Sequence, residues 1–322
     1  MNDLQHESEQ SIAVMQQPHL VFATGSYTYM QTALCQRPAM KEGEIERRVF
    51  PDGERYQRIV SDICGRDIVL IGGTISEVDT LEMYDLACAL VDEGARSLSL
   101  VIPYFGYSTM ERVVQRGEVV TAKTRARLLS AIPQAAMGTR VFLFDLHAEG
   151  IPYYFEGSIR PVHVYCKPVI VQAITESGGT HYALAATDTG RGKWIESLAS
   201  ELAVSPAGVF KRRIDGETTE VLWVNGDVQG SHVVIYDDMI RTGSSLIGAA
   251  KAYHEAGATG FSVVATHGVF PGDALVRLQD SGLFDRIICT DTHPKARELA
   301  GDFLTVRPID GLIWNCLPHI RA

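Results

Sequence analysis

No two cysteines of this 322-residue chain stand at C-x-x-C spacing. The six that occur, at 35, 64, 88, 166, 289 and 316, lie mostly in apolar runs, where a thiol packs as a small buried hydrophobe. Buried free thiols fit a reducing cytoplasm. Basic charge is also short. Lys and Arg number 29 against 39 Asp and Glu, for a net charge of −10. That argues against a nucleic-acid partner held by a general basic surface, but leaves room for local basic sites for small phosphorylated ligands. Long apolar runs are missing, so no segment reads as a membrane span. The polar, acidic start MNDLQHESEQ does not read as a signal peptide. Residues 1–17 are expected to form a flexible tail.

What remains is ordinary globular composition. Hydrophobic residues make up 46% of the chain and charged ones 21%, enough for a substantial core. The length suggests about two domains.

Short apolar, β-rich runs recur along the chain. They are 19–25, 67–73, 97–105 and 140–148 in the first half, then 181–190, 232–240, 261–270 and 286–294 in the second. Near-continuous apolar runs suit parallel strands buried on both faces. Between them, 80–95, 122–132 and 193–203 carry apolar residues at helical spacing, with Gly94 as a stop for the first. Alternating strands and helices predict an α/β protein with parallel sheets. The pattern runs twice, with a break near 150–165 and no low-complexity linker. In such folds ligands sit at the carboxyl ends of strands.

One stretch concentrates polar chemistry at such an end: VVIYDDMIRTGSS, residues 233–245. The strand exit carries Asp237 and Asp238, and LIGAAKAYHEAG continues as a helix closing at Gly257. A helix N-terminus offers unpaired N–H groups and partial positive charge to an anion. Gly243 permits close backbone approach, and Thr242, Ser244 and Ser245 offer hydroxyl donors. Carboxylates repel a phosphate, so the two aspartates should face vicinal hydroxyls or a metal. A ribose 5-phosphate unit has both ends. The competing reading is a plain strand-to-helix turn capped by Ser or Thr, with the acids in solvent.

The same stretch resembles the phosphoribosyl-diphosphate (PRPP) motif of phosphoribosyltransferases and of ribose-phosphate diphosphokinases, the PRPP synthases. Four further stretches resemble the synthases: FPDGERY (50–56), VIPYFGY (101–107), DLHA (145–148) and FKRR (210–213). The matches keep their order from about 20 to 310. TMERVVQRGEVVTAKTRARLLS, ATHGVF and FDLHAEGIPYYFEG resemble the plant-type class II subgroup more closely than class I.

The resemblance implies two similar doubly wound domains of phosphoribosyltransferase type I-like fold, 18–160 and 161–322, the second carrying the PRPP motif. It implies transfer of a diphosphoryl group from ATP or another nucleoside triphosphate to the 1-hydroxyl of ribose 5-phosphate, with Mg²⁺ as cofactor, in a cytoplasmic homo-oligomer. By the same resemblance Asp145 and His147 bind metal. On the residues alone, they stand two apart at a strand end and so point the same way. His147 could equally be satisfied by a neighbouring backbone group.

Asp188 contacts ribose or metal, or else caps the helix that begins near Lys193. Lys211 and Arg213, in a charged stretch ending in the loop signature DGE, match the family's K-x-R and by that resemblance are expected to contact the transferring phosphates; the alternative is a solvated basic turn. Asp237, Asp238, Arg241, Thr242, Gly243, Ser244 and Ser245 hold ribose 5-phosphate. Phe50, Asp52, Glu54 and Thr109 hold the nucleotide, with Phe50 stacking on the base; the alternative for that segment is a surface turn after a strand. Class I members carry Arg-Gln where this chain has Thr109-Met110. Class II members imply a wider nucleotide choice and independence from phosphate activation. Arg241 stands where many members have an acid. A phosphoribosyltransferase would need neither DLHA nor the basic stretch. A non-catalytic synthase-associated subunit would have lost some of these residues. His267 and His293 end strands without an assigned role.

Overall fold

The structure, a computed structural model, describes residues 17–179, 181–213 and 219–317, without the side chains of 189, 211–213 and 219–222. The chain forms two compact units. One comprises Met1–Tyr165 with Asp310–Ala322, the other Cys166–Ile309. The N-terminal tail lies outside the described residues.

The first unit is built on a six-stranded sheet, all parallel. Its strands are β1 (His19–Ala23), β2 (Met40–Glu42), β5 (Asp67–Ile71), β6 (Ser97–Ile102), β7 (Thr139–Phe144) and β8 (Arg160–Val164), in the order β2-β1-β5-β6-β7-β8. A separate antiparallel ribbon, β3 (Ile45–Val49) and β4 (Arg55–Ile59), leaves this sheet between β2 and β5. Helix Glu77–Asp92 is started by Ser76, whose hydroxyl accepts the Asp79 N–H, and is ended by Gly94 at φ +89°. Its Met83, Leu86 and Leu90 join Leu70, Leu100 and Leu143 in the core. Helix Asp310–Cys316 belongs here, where Asp310 pairs with Arg37 at 2.7 Å and Trp314 donates to the Pro38 carbonyl.

The second unit holds a seven-stranded sheet in the order β11-β10-β9-β12-β13-β14-β15. These are β9 (Tyr182–Ala186), β10 (Ser205–Arg213), β11 (Thr219–Asn225), β12 (His232–Ile240), β13 (Gly260–Gly268), β14 (Arg286–Thr290) and β15 (Leu304–Arg307). All neighbours are parallel except β10 and β11. Side chains alternate between the faces. Val233, Ile235 and Val263 join Leu246, Tyr253 and Leu278 in one apolar cluster, while helix Lys167–Gly178 packs across β12, β13 and β14. This is the α/β architecture of parallel sheets that the alternation predicts.

All eight apolar runs contain strands. The expected helices also form, as Glu77–Asp92, Thr121–Ser130, Gly192–Leu202 and Ser244–Glu255. The cysteines are all free, but only Cys166 and Cys289 are fully buried and Cys64 is exposed. The expectation of mostly buried thiols therefore holds for a minority. Among the described residues, no helix is long and apolar enough to cross a membrane.

Candidate active site

In the second unit, the polar cluster grows out of unequal strand lengths. β12 pairs with β9 only as far as Tyr236↔Ala186, but with β13 on to Ile240↔Gly268. Asp237 and Asp238 therefore stand inside β12, beside the point where β9 has ended. They do not stand at the strand's exit, where the sequence reading puts them. The strand continues because Met239 and Ile240 are buried against its neighbours.

The two acids have different partners. Asp237 accepts from the buried Thr187 hydroxyl at 3.0 Å and from the Asp238 N–H at 2.9 Å. Asp238, with a side chain only 5% exposed, pairs with Arg191 at 2.6 Å. Burial, then the charge and hydrogen bonding of Asp238, push the Asp237 carboxyl up to about 8; the Thr187 hydroxyl works against this, and Asp188 adds a smaller push. Asp188 lies two residues past β9, and its Oδ1 accepts the Gly190 N–H at 2.8 Å. It thus turns the chain toward the 3₁₀ segment Thr189–Arg191 rather than capping helix Gly192–Leu202 directly.

Beyond β12 the chain passes through exposed Arg241 and Thr242 into helix Ser244–Glu255. The N-cap is Gly243 at φ +79°, with no side-chain cap. The N-cap is therefore Gly243 rather than a Ser or Thr, and the Ser244 N–H reaches the Thr242 hydroxyl at 3.5 Å. Thr242 and Ser244 hydroxyls stand 3.2 Å apart, and Ser244 and Ser245 are exposed. Nearby, His267 is buried and bonds the Thr292 hydroxyl at 2.8 Å, within a network that includes Thr290 and the Thr266 carbonyl. His293 N-caps the short helix Pro294–Glu298. Both histidines have structural partners.

In the first unit, β7 ends at Phe144 and Asp145 takes φ +37°. The strand alternation used to align Asp145 with His147 thus stops one residue early. The turn is fixed by the Asp145 N–H on the Val164 carbonyl at 3.0 Å and the Leu146 N–H on His163 Nε2 at 3.0 Å. Asp145 is half-buried and His147 exposed.

The segment of Phe50, Asp52 and Glu54 is the tip of the β3–β4 ribbon. It is closed by the Phe50 N–H on the Glu54 carbonyl at 2.8 Å and by the Glu54 N–H on Asp52 Oδ1 at 3.1 Å. Phe50 is 46% exposed and meets Tyr56 edge-on. Thr109 is exposed, in a turn after Tyr107, itself at φ +62°. The backbone of Lys211 and Arg213 continues β10, paired with β11 after a bulge between Phe210 and Lys211, so these residues are strand rather than loop. Their side chains, and the DGE that follows, lie outside the described residues.

Sequence reasoning missed Arg191, whose only signal was a basic residue three positions after Asp188. It also missed Glu82, an acid on the apolar stripe of its helix.

A mostly parallel α/β sheet with carboxylates and a helix N-terminus toward its C-terminal edge defines the class of α/β proteins that bind ligands at their strand ends. Residues 19–132 match the model for the N-terminal domain of ribose phosphate pyrophosphokinase, and 204–310 that for the phosphoribosyl synthetase-associated domain. A ribose-phosphate pyrophosphokinase from Synechococcus elongatus is 33% identical, over 87% of this chain and 83% of its own. A chloroplastic one from Spinacia oleracea is 32% identical, over 87% of this chain and 70% of its own. The crystal structure of phosphoribosylpyrophosphate synthetase from Mycobacterium smegmatis superposes with a TM-score of 0.80 at 25% identity, covering 92% of this chain and 97% of that one. The chain belongs to the ribose-phosphate pyrophosphokinase family.

Proposed function

We propose that the protein transfers the diphosphoryl group of ATP, or of another nucleoside triphosphate, to the 1-hydroxyl of ribose 5-phosphate, giving PRPP and a nucleoside monophosphate. The observation that carries this reading is the start of helix Ser244–Glu255 at Gly243, an N-cap without a side chain, shortly after the adjacent carboxylates of β12. An anion suits the first and ring hydroxyls suit the second.

The 5-phosphate takes the N–H groups at Ser244 and Ser245 and the hydroxyls of Thr242, Ser244 and Ser245, with Arg241 adding positive charge. Asp238 and Asp237 accept from the ribose hydroxyls. O1 gives up its proton to water and attacks the β-phosphorus; the O1–Pβ bond forms, the bridge to the α-phosphorus breaks, and the monophosphate leaves with that bridging oxygen. Such chemistry depends mostly on positioning and charge neutralisation. Lys211 and Arg213 supply positive charge to the phosphates. Phe50, Asp52, Glu54 and Thr109 hold the nucleoside.

Among the described residues no group of three or more His, Cys, Asp or Glu is gathered as a metal cage. Mg²⁺ takes one or two carboxylates and keeps water and substrate phosphate oxygens. Asp145 and His147 in the first unit, and separately Asp188 in the second, are the candidates to bind it, and when bound it would neutralise phosphate charge. The free thiols support a cytoplasmic location. Homo-oligomers and the class II assignment belong to the same proposal.

The test separates three reactions. Purified protein is given ribose 5-phosphate, ATP and Mg²⁺, and release of AMP is followed by chromatography. AMP release that depends on ribose 5-phosphate supports the reading. Consumption of PRPP with a free nucleobase, and no AMP release, would replace it with a transferase. Neither reaction, from folded protein that still binds ribose 5-phosphate, would point to a non-catalytic subunit.

A further inference from the structure

The β3–β4 ribbon has two unlike faces. On one, Ile45↔Ile59, Arg47↔Gln57 and Val49↔Arg55 are paired in register. Ile45 and Ile59 pack on the core of the first unit. On the other, Glu46 pairs with Arg48 and Arg58, and the Arg48 guanidinium lies over Tyr56. A two-stranded ribbon is marginally stable by itself, so its anchors decide where its tip points.

Above the apolar foot, the ribbon's polar contacts gather on Glu82. This residue sits on helix Glu77–Asp92 among Asp79, Met83 and Leu86, all on its buried face, and its side chain is 5% exposed. Its Oε1 accepts from Arg47 Nε at 3.1 Å, Gln57 Nε2 at 3.0 Å and the Gly25 N–H at 3.0 Å. Its Oε2 faces Arg55 Nη1 at 3.6 Å. Arg47 also donates to the Ala23 carbonyl at 2.5 Å. One carboxylate thus joins both strands of the ribbon to the carboxyl end of β1. A buried acid costs desolvation that an apolar residue on the same stripe would avoid, so it is weak evidence for stability and better evidence for geometry. The tip lies three residues beyond Arg47, or about 10 Å along the strand.

We propose that Glu82 is a positioning residue for the nucleotide. It fixes the direction of the ribbon and so the placement of Phe50, Asp52 and Glu54, without touching substrate. This rests on reading the tip as the segment that holds the nucleoside.

The test compares Glu82→Gln, the milder Gln57→Ala, and Phe50→Ala in the full chain. Hydrogen exchange of the 45–59 amides reports anchoring, and the two substrate KM values report positioning. Glu82→Gln is expected to speed exchange in 45–59 about tenfold while leaving β5 and β6 protected. It should raise KM for ATP about tenfold and change KM for ribose 5-phosphate less than about twofold. Gln57→Ala should move the same readouts in the same direction by less, and it keeps the test open if Glu82→Gln does not fold. After Glu82→Gln, Phe50→Ala should cost less than it does alone.

Unchanged exchange in 45–59 for a folded Glu82→Gln would overturn the anchoring. Faster exchange with an unchanged KM for ATP, where Phe50→Ala alone raises it, would overturn the positioning role. No effect of Phe50→Ala alone on KM for ATP would overturn the reading of the tip, and the positioning role with it.

Discussion

Arg191 stands 2.6 Å from Asp238 Oδ2, whereas neighbouring Asp237 is held by the Thr187 hydroxyl. Two adjacent carboxylates cannot both ionise cheaply in a buried site. The guanidinium compensates Asp238, and Asp237 keeps its proton to higher pH. Adjacent identical residues therefore have unlike surroundings, Asp238 beside a guanidinium and Asp237 beside a hydroxyl. Replacing Arg191 by Met leaves Asp238 buried without that partner. Breaking such a pair costs about 3 kcal/mol. Urea unfolding should show the loss, and KM for ribose 5-phosphate should rise about tenfold or more.

Asp237 also sets a pH dependence. Its carboxyl goes from an ordinary 3.8 to about 8 on folding. Between those values the folded state binds the extra proton, so stability falls as pH rises. The substrate-free protein should be most stable, with respect to this group, below about pH 4, and should lose that contribution as pH passes through 8. Asp237→Asn removes the titration. Thermal unfolding of both proteins from pH 5 to 9 should show a smaller decline in the variant.

Gly243 is a position where a side chain is poorly tolerated. Its φ is +79°, and a Cβ would come within 2.8 Å of Leu278 Cδ2 and Cγ. Left-handed backbone alone costs an alanine about 1–2 kcal/mol. Gly243→Ala should therefore lower the unfolding midpoint and, by shifting the helix start, weaken binding of ribose 5-phosphate more than binding of ATP. Calorimetric titration with each substrate measures the difference.

The donor site offers a further check. Thr109 is exposed and lacks the cationic reach of an arginine. GTP and CTP should therefore replace ATP with losses of no more than about tenfold in kcat/KM, roughly the range of one modest contact. Activity should not require added inorganic phosphate.

These relationships were unequally visible in the sequence. The eight buried strands were legible because runs such as DIVLIGG and HVVIYDDMI are apolar on both faces. The β3–β4 ribbon was not, because IERRV and RYQRI place charges on both faces and their anchor Glu82 lies more than twenty residues onward. β10 looked like a basic loop because its antiparallel partner β11, not its own composition, makes it a strand. The loop-to-helix pattern at 241–245 was legible from Gly243 and its hydroxyl neighbours. The division of labour between Asp237 and Asp238 was not, since it depends on Arg191 arriving from another strand's exit. The turn at Asp145 was hidden for a similar reason: a left-handed φ at a non-glycine residue is imposed by β8 and His163.

The central claim is that a diphosphoryl group moves intact from nucleotide to sugar. ³¹P NMR of the protein with ribose 5-phosphate, Mg²⁺ and ATP, without added phosphate, follows each phosphorus directly. Signals of AMP and of a sugar 1-diphosphate should grow together and in equal amounts as those of ATP fall. Growth of ADP with a ribose 1,5-bisphosphate, or no change in ATP from folded protein even after phosphate is added, would contradict the account.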